Sequence, residues 1–277
     1  MKRQRQRHGD GVFVVIVAIV AAVAAIVGTI RWMATQQDPA TDISMMMKVA
    51  PNRPIPPASD LMIGPPVPAP LPVNCAVANC VALTFDDGPG PETSRLLDIL
   101  ADKNVHATFF LVGYMIAHYS GDVARMRAEG HVVGNHSYNH PHFRGKSADW
   151  IADQLRRTNE AIIAAGGPPP ALLRPPYGEQ SPDVTQAAKS LGMTQVLWSV
   201  DPLDWKDRDT PTVVQRVVSE AKAGSIVLMH DIRPTTVDAV AQIIDGLRAA
   251  GYELVTVPQL VGTSVPGSVV RQGPRVH

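Results

Sequence analysis

Residues 81–113 read VALTFDDGPGPETSRLLDILADKNVHATFFLVG. An apolar run ends on two aspartates, and a Gly-Pro-Gly-Pro turn stops it at once. An amphipathic stretch follows, PETSRLLDILADKN, and then a second apolar run, HATFFLVG. That is a strand, a turn, a helix and a strand. Working outward, the same alternation continues through the strand-like runs HVVGNHS, ALLRPPYG, TQVLWSVD, SIVLMHD and YELVTVP. Helical stretches lie between them: SADWIADQLRRTNEAIIAA, SPDVTQAAKSLG, TPTVVQRVVSEAKA and TTVDAVAQIIDGLRAA. Thr93, Ser147, Ser181 and Thr210 stand at helix starts as cap-type residues. Short continuous apolar runs suit parallel strands covered on both faces. The expected fold is therefore α/β with about seven parallel strands, either doubly wound or closed as a small barrel.

The unusual polar residues fall at strand ends. Asp86 and Asp87 end the first run, His136 and His140 follow the third, and Arg174 and Tyr177 end the fourth. Asp201, Asp204 and Trp205 follow the fifth, and His230 with Asp231 ends the sixth. In parallel β/α folds the C-terminal strand edge is where loops converge to build a site. One acidic strand end is a turn; five polar strand ends on one edge make a site. Adjacent strand residues point to opposite faces, so Asp86 and Asp87 are expected to do different jobs.

His136 and His140 are four apart, and on a helix both imidazoles would share one face. Gly134 and Pro141 argue against a regular helix there. Two histidines with one carboxylate from the first strand end form a common three-ligand set for zinc, and other divalent ions also fit it. Asp87 is then the ligand, while Asp86 is free to act as a base beside a water acidified by the metal.

TFDDGP, HSYNH, RPPYG, DPLDW and LMH, in this order and spacing, resemble the five motifs of the polysaccharide deacetylases. These form carbohydrate esterase family four, also called the nodulation-deacetylase homology domain. The resemblance covers roughly Val81 to Gly262 with all five motifs intact. It implies a distorted (β/α) barrel. It further implies Asp86 as general base, and Asp87, His136 and His140 as the ligands of one divalent metal, zinc first and cobalt or another ion as alternatives. His230 corresponds to the general acid and Arg174 to the residue that orients the base. The Tyr177 backbone N–H corresponds to an oxyanion donor. The resemblance further implies that Asp204 pairs with the acid histidine and that Trp205 and Leu228 line the acetyl pocket. Asp201 either contacts His230 or supports its loop. The implied reaction is metal-dependent hydrolysis of N-acetyl groups on a cell-wall polysaccharide, peptidoglycan being favoured over chitin oligomers or acetylxylan. A non-catalytic binding module is disfavoured because none of these residues is lost. His106, His118, His131 and His142 read as structural or loop residues, and Asp231 as support for the His230 loop.

The beginning of the chain adds location. Four basic residues lie in segment 1–11, and 12–30 (VFVVIVAIVAAVAAIVGTI) carries no charge. At about 1.5 Å per residue, nineteen residues nearly span a core of roughly 30 Å. The expectation is an uncleaved single-pass anchor with the remainder extracytoplasmic, a cleaved signal being the alternative. Residues 31–74 are expected as a Pro-rich extended linker, in a chain with 25 prolines overall. Cys75 and Cys80, the two cysteines present, are expected to form a disulfide in an exported chain. The catalytic domain is expected over 75–262, with a flexible tail over 263–277. Lys plus Arg equals Asp plus Glu at 25 each, so no nucleic-acid surface is indicated.

Overall fold

The computed structural model describes residues 73–274. The predicted membrane segment 12–30, the basic segment before it and nearly all of the linker lie outside the described residues. No helix among the described residues is long and apolar enough to cross a membrane.

Eight parallel strands form one curled sheet. They are β1 (Cys80–Asp86), β2 (Thr108–Leu111), β3 (Val132–Asn135), β4 (Leu172–Leu173), β5 (Thr194–Val196), β6 (Ser225–His230), β7 (Glu253–Val255) and β8 (Val269–Val270). The order is β6-β1-β2-β3-β4-β5-β8, with β7 paired to the first half of β1. Beyond β5 the chain reaches β6 directly: Val200 bridges Val227, and Leu228 N–H donates to the Val200 carbonyl. The curl therefore returns upon itself.

The connecting helices are α1 (Thr93–Asp102), α2 (Gly113–Ile116), α3 (Ser120–Ala128), α4 (Ala148–Ala164), α5 (Pro182–Ser190), α6 (Asp204–Asp207), α7 (Thr210–Glu220), α8 (Pro234–Ala249) and α9 (Val257–Val261). Strand β1 is buried along its whole length, and its alternation decides where the chemistry goes. Val81, Leu83 and Phe85 join the cluster under the helices, with Leu96, Leu100, Phe109, Val240 and Ile244. Burying each such side chain contributes roughly 1.5–3 kcal/mol. Ala82, Thr84 and Asp86 take the opposite face. There Ala82 packs with Phe110, Leu172, Val196 and Ile226. The same period-2 rule that fills the core thus turns Asp86 inward.

Four details differ from the sequence reading. The helix at 93 is capped at Glu92 without a side-chain bond, because the Thr93 hydroxyl is engaged elsewhere. At 210 the cap is Asp209, whose carboxylate accepts from Thr212 N–H; Ser147 and Ser181 cap as expected. The run around 172 is reduced to two paired residues, since Pro175 and Pro176 lack the N–H that a longer ladder needs. The segment from 263, expected as a flexible tail, supplies β8 alongside β5, and Gly273 N–H donates to the Gly224 carbonyl. Cys75 and Cys80 are disulfide-bonded just before β1, as expected.

Candidate active site

Asp86 is the last residue of β1, and Asp87 follows with φ 74°. This left-handed turn breaks the strand alternation. Both carboxylates therefore face one cluster instead of opposite sides of the sheet. His136 Nε2 is 3.7 Å from Asp86 Oδ2 and 3.6 Å from Asp87 Oδ1.

The two histidines come from a looped segment, not a helix. Ser137 and His140 have φ 69° and 54°. Asn135 Oδ1 accepts from Ser137 N–H at 2.8 Å, and Ser137 Oγ accepts from His140 N–H at 3.1 Å. The Asn135 amide is itself fixed, donating to the Leu155 carbonyl and Asn159. These bonds bring the imidazole centroids to 4.8 Å. Facing donor atoms of Asp87, His136 and His140 lie within 4.8 Å of one another, and all three residues are buried.

This set fits a divalent cation. His136 Nδ1–H donates to the Arg174 carbonyl at 2.6 Å, which leaves the Nε2 lone pair facing Asp87. Burial pushes the His136 pKa down to about 4, so the ring is neutral near pH 7. Burial acts to raise the Asp87 carboxyl, but His140, His230 and His136 together hold it below its usual range. Asp87 Oδ1 is buried without a hydrogen-bond donor among the described residues. It lies 3.5 Å from His140 Nε2 and 3.6 Å from His136 Nε2. Two donors each about 2.1 Å from one tetrahedral ion would lie roughly 3.4 Å apart.

Asp86 is held from the other side. Arg174, with no exposed surface, donates from Nη1 to Asp86 Oδ1 and to Thr84 Oγ, each at 2.7 Å. Nε and Nη2 donate to the Val196 and Leu197 carbonyls at 3.1 and 3.2 Å. Its guanidinium also lies 4.2 Å from the Phe110 ring centroid. Every direction of the side chain is fixed, so Asp86 Oδ1 is fixed while Oδ2 faces the histidine cluster.

His230 ends β6 opposite Asp86 in register. Its Nδ1 is 2.9 Å from Asp204 Oδ1, and its Nε2 is 4.0 Å from Asp87 Oδ2. Asp204 Oδ2 accepts from the His230 N–H at 2.8 Å and from Thr236 Oγ at 2.7 Å. Burial opposes charge on His230, but the Asp204 carboxylate outweighs it and raises the imidazole to about 10. Asp204 is correspondingly lowered, its own burial being overcome by His230. Asp201 makes the loop-supporting contact: its Oδ1 accepts from Leu203 N–H at 2.9 Å. Leu228 is buried on β6, and half-buried Trp205 donates its backbone N–H to Asp204 Oδ1 at 2.9 Å. Tyr177 has φ 58° in the loop after β4 and leaves its ring 4.5 Å from that of His140.

The model of the polysaccharide deacetylase family matches residues 74–196. A chitooligosaccharide deacetylase of Rhizobium leguminosarum is 35% identical over 194 residues, covering 65% of this chain and 90% of the relative. The chain belongs to the polysaccharide deacetylase family. Within that family it is similar to the peptidoglycan-N-acetylmuramic acid deacetylase PdaC of Bacillus subtilis, 44% identical over 181 residues. That match covers 65% of this chain and 38% of the relative, so the chain spans about two-fifths of its length. A solved structure described as T48 deacetylase with substrate superposes with a TM-score of 0.68 at 44% identity, covering 72% of this chain and 99% of that one.

Of the site residues singled out in the sequence of this deacetylase-family chain, Leu228 lies within β6 and the Cys75–Cys80 disulfide lies at the entrance of β1; the others fall at C-terminal strand ends or in the segments that follow them. The sequence reading missed Thr84, Thr236 and Glu179 and took Thr93 only as a helix cap, whereas the three threonines brace the charged groups. A signal existed for Glu179 alone, a carboxylate directly after the RPPYG motif. The threonines become visible only once strands are paired.

Proposed function

We propose that the protein hydrolyses N-acetyl groups of a cell-wall polysaccharide, peptidoglycan, in a reaction that depends on a divalent metal held by Asp87, His136 and His140. The observation that carries this reading is the arrangement about that donor set: a carboxylate clamped by Arg174 on one side and a carboxylate-bound histidine on the other. When bound, the metal polarises the acyl oxygen and acidifies the attacking water.

The chain's own residues do the rest. Asp86 accepts a proton from the attacking water as the new carbon–oxygen bond forms, and Arg174 keeps its free oxygen aimed at that point. The Tyr177 backbone N–H donates to the acyl oxygen as it gains negative charge. His230, held by Asp204 through Nδ1, delivers a proton from Nε2 to the nitrogen as the carbon–nitrogen bond breaks. Leu228 and Trp205 offer an apolar wall to the methyl group. Acetate and a free amine leave, which balances the reaction with one water consumed. Zinc is the proposed ion, because two nitrogens and one oxygen with a fourth position open suit it.

The names of the relatives, a peptidoglycan-N-acetylmuramic acid deacetylase and a chitooligosaccharide deacetylase, support an N-acetylated glycan as substrate. The sequence favours the wall polymer. Segment 12–30 would anchor the chain, the Pro-rich stretch would extend from it, and the described domain would work outside the membrane. Acetate and new amines would be measured after incubating the metal-loaded protein with peptidoglycan, chitin oligomers and acetylxylan. Release from peptidoglycan at the highest kcat/KM is expected. Release from chitin oligomers or acetylxylan alone would keep the chemistry and overturn the substrate.

A further inference from the structure

Tyr177 is a bulky residue in the left-handed region, at φ 58° and ψ 12°. Such a conformation costs on the order of 1–3 kcal/mol and persists only where the surroundings over-determine it. The surroundings come from the loop that carries the second histidine of the metal set. The His142 ring lies flat on the Tyr177 ring, with centroids 4.0 Å apart and planes 15° from parallel. Its Nδ1 is 2.9 Å from Glu179 Oε1. Glu179 Oε2 in turn accepts from the Phe143 and Arg144 N–H groups at 2.7 and 2.9 Å. Residues 142–144 thus grip residues 177 and 179 through four contacts, immediately beside His140.

We propose that His142 and Glu179 form a latch that positions the Tyr177 backbone between the two loops. They act as positioning residues for the oxyanion donor. The proposal rests on the deacetylase reading above and adds residues to which no role has been given. The short turn that carries Tyr177 is closed by Gly178 N–H to the Pro175 carbonyl at 3.0 Å and Glu179 N–H to the Pro176 carbonyl at 3.1 Å. A ring stacked flat on Tyr177 and a carboxylate tied to the neighbouring loop keep that turn from reorienting. The imidazole contributes its face to the stack and its nitrogen to the tie, so the two functions can be separated by substitution.

The test uses the full chain, metal-loaded, with His142→Ala, His142→Phe, Glu179→Ala, Glu179→Gln and His142→Ala/Glu179→Ala. Two readouts are taken: steady-state deacetylation of N-acetylglucosamine oligomers, and amide hydrogen exchange at Gly178 and Glu179. A misplacement near 1 Å costs up to about 100-fold, so a loosened donor is expected to lower kcat on the order of 10-fold. His142→Ala and Glu179→Ala should show that loss with KM changed less than about twofold, and exchange at Gly178 should accelerate at least about tenfold. His142→Phe keeps the ring face, and Glu179→Gln keeps an acceptor for the loop amides. Both should retain most of kcat. The double variant should be no worse than Glu179→Ala alone, as residues acting through one element are non-additive. A rise in KM at unchanged kcat would make His142 a substrate contact and overturn the latch, as would unchanged exchange at Gly178. Exchange is read without turnover. An inactive wild-type protein whose variants still show faster exchange would count against the deacetylase reading and not against the latch.

Discussion

Gly88→Ala should disable the site through one collision. A Cβ on Gly88 would lie 2.2 Å from Asp231 Oδ2, 2.4 Å from Oδ1 and 2.6 Å from Cγ. Ordinary contact needs about 3.5 Å, so roughly 1 Å must open. Asp231 cannot yield cheaply. It has no exposed surface, Thr93 Oγ donates to its Oδ2 at 2.5 Å, and the same hydroxyl accepts from Gly90 N–H at 2.7 Å. Gly88 is also pinned, its carbonyl accepting from Val112 N–H at 2.9 Å. Overpacking of this kind costs about 1–3 kcal/mol. The backbone most able to move is that of Asp87, whose displacement by about 1 Å should lower kcat/KM around 100-fold. The assay is acetate release together with metal stoichiometry. Asp231→Ala removes all three clashing atoms, so Gly88→Ala/Asp231→Ala should be about tenfold more active than Gly88→Ala, although Asp231→Ala alone also loses activity. Gly88→Ala within threefold of wild type would refute the reasoning, and so would a double variant no better than the single.

Arg174→Met should leave Asp86 buried without its counter-charge, a change worth about 3–5 kcal/mol. Thermal unfolding should show a drop on the order of 10 °C, and turnover should be lost with it. The pH dependence of stability in the metal-free protein follows from His230, whose pKa rises from 6.5 to about 10 on folding. The raised group contributes fully below pH 6.5, and that contribution is lost as pH rises towards 10. Asp204, lowered on folding, contributes above its ordinary range near 4 and is lost as pH falls through its depressed value. Asp204→Asn should therefore flatten the alkaline limb of a urea-unfolding series. A limb of unchanged slope would remove Asp204 as the cause.

The strand edge was legible in the sequence because parallel β/α units place every chemically unusual residue at the end of an apolar run. Asp86, His136, Arg174 and His230 needed only that rule. What it could not supply were the backbone departures from regular structure. Strand alternation separated Asp86 from Asp87, whereas φ 74° at Asp87 brings both carboxylates to one cluster. Helical spacing suggested a shared face for His136 and His140, whereas hydrogen bonds from Asn135 and Ser137 build the same proximity in a loop. The eighth strand was invisible because two residues, Val269 and Val270, carry no period of their own and are ordered by β5. His142 read as a loop residue, since its partner lies 37 positions away.

In the proposed function two adjacent aspartates divide the labour: Asp87 would anchor a metal and Asp86 would move a proton. The measurement that tests this division most directly is metal content and acetate release, taken together on Asp86→Asn and Asp87→Asn. Asp86→Asn should bind one metal per chain as tightly as wild type and turn over at least about 100-fold more slowly. Asp87→Asn should lose the metal. Tight metal retention by Asp87→Asn, or loss of metal from Asp86→Asn, would contradict this division.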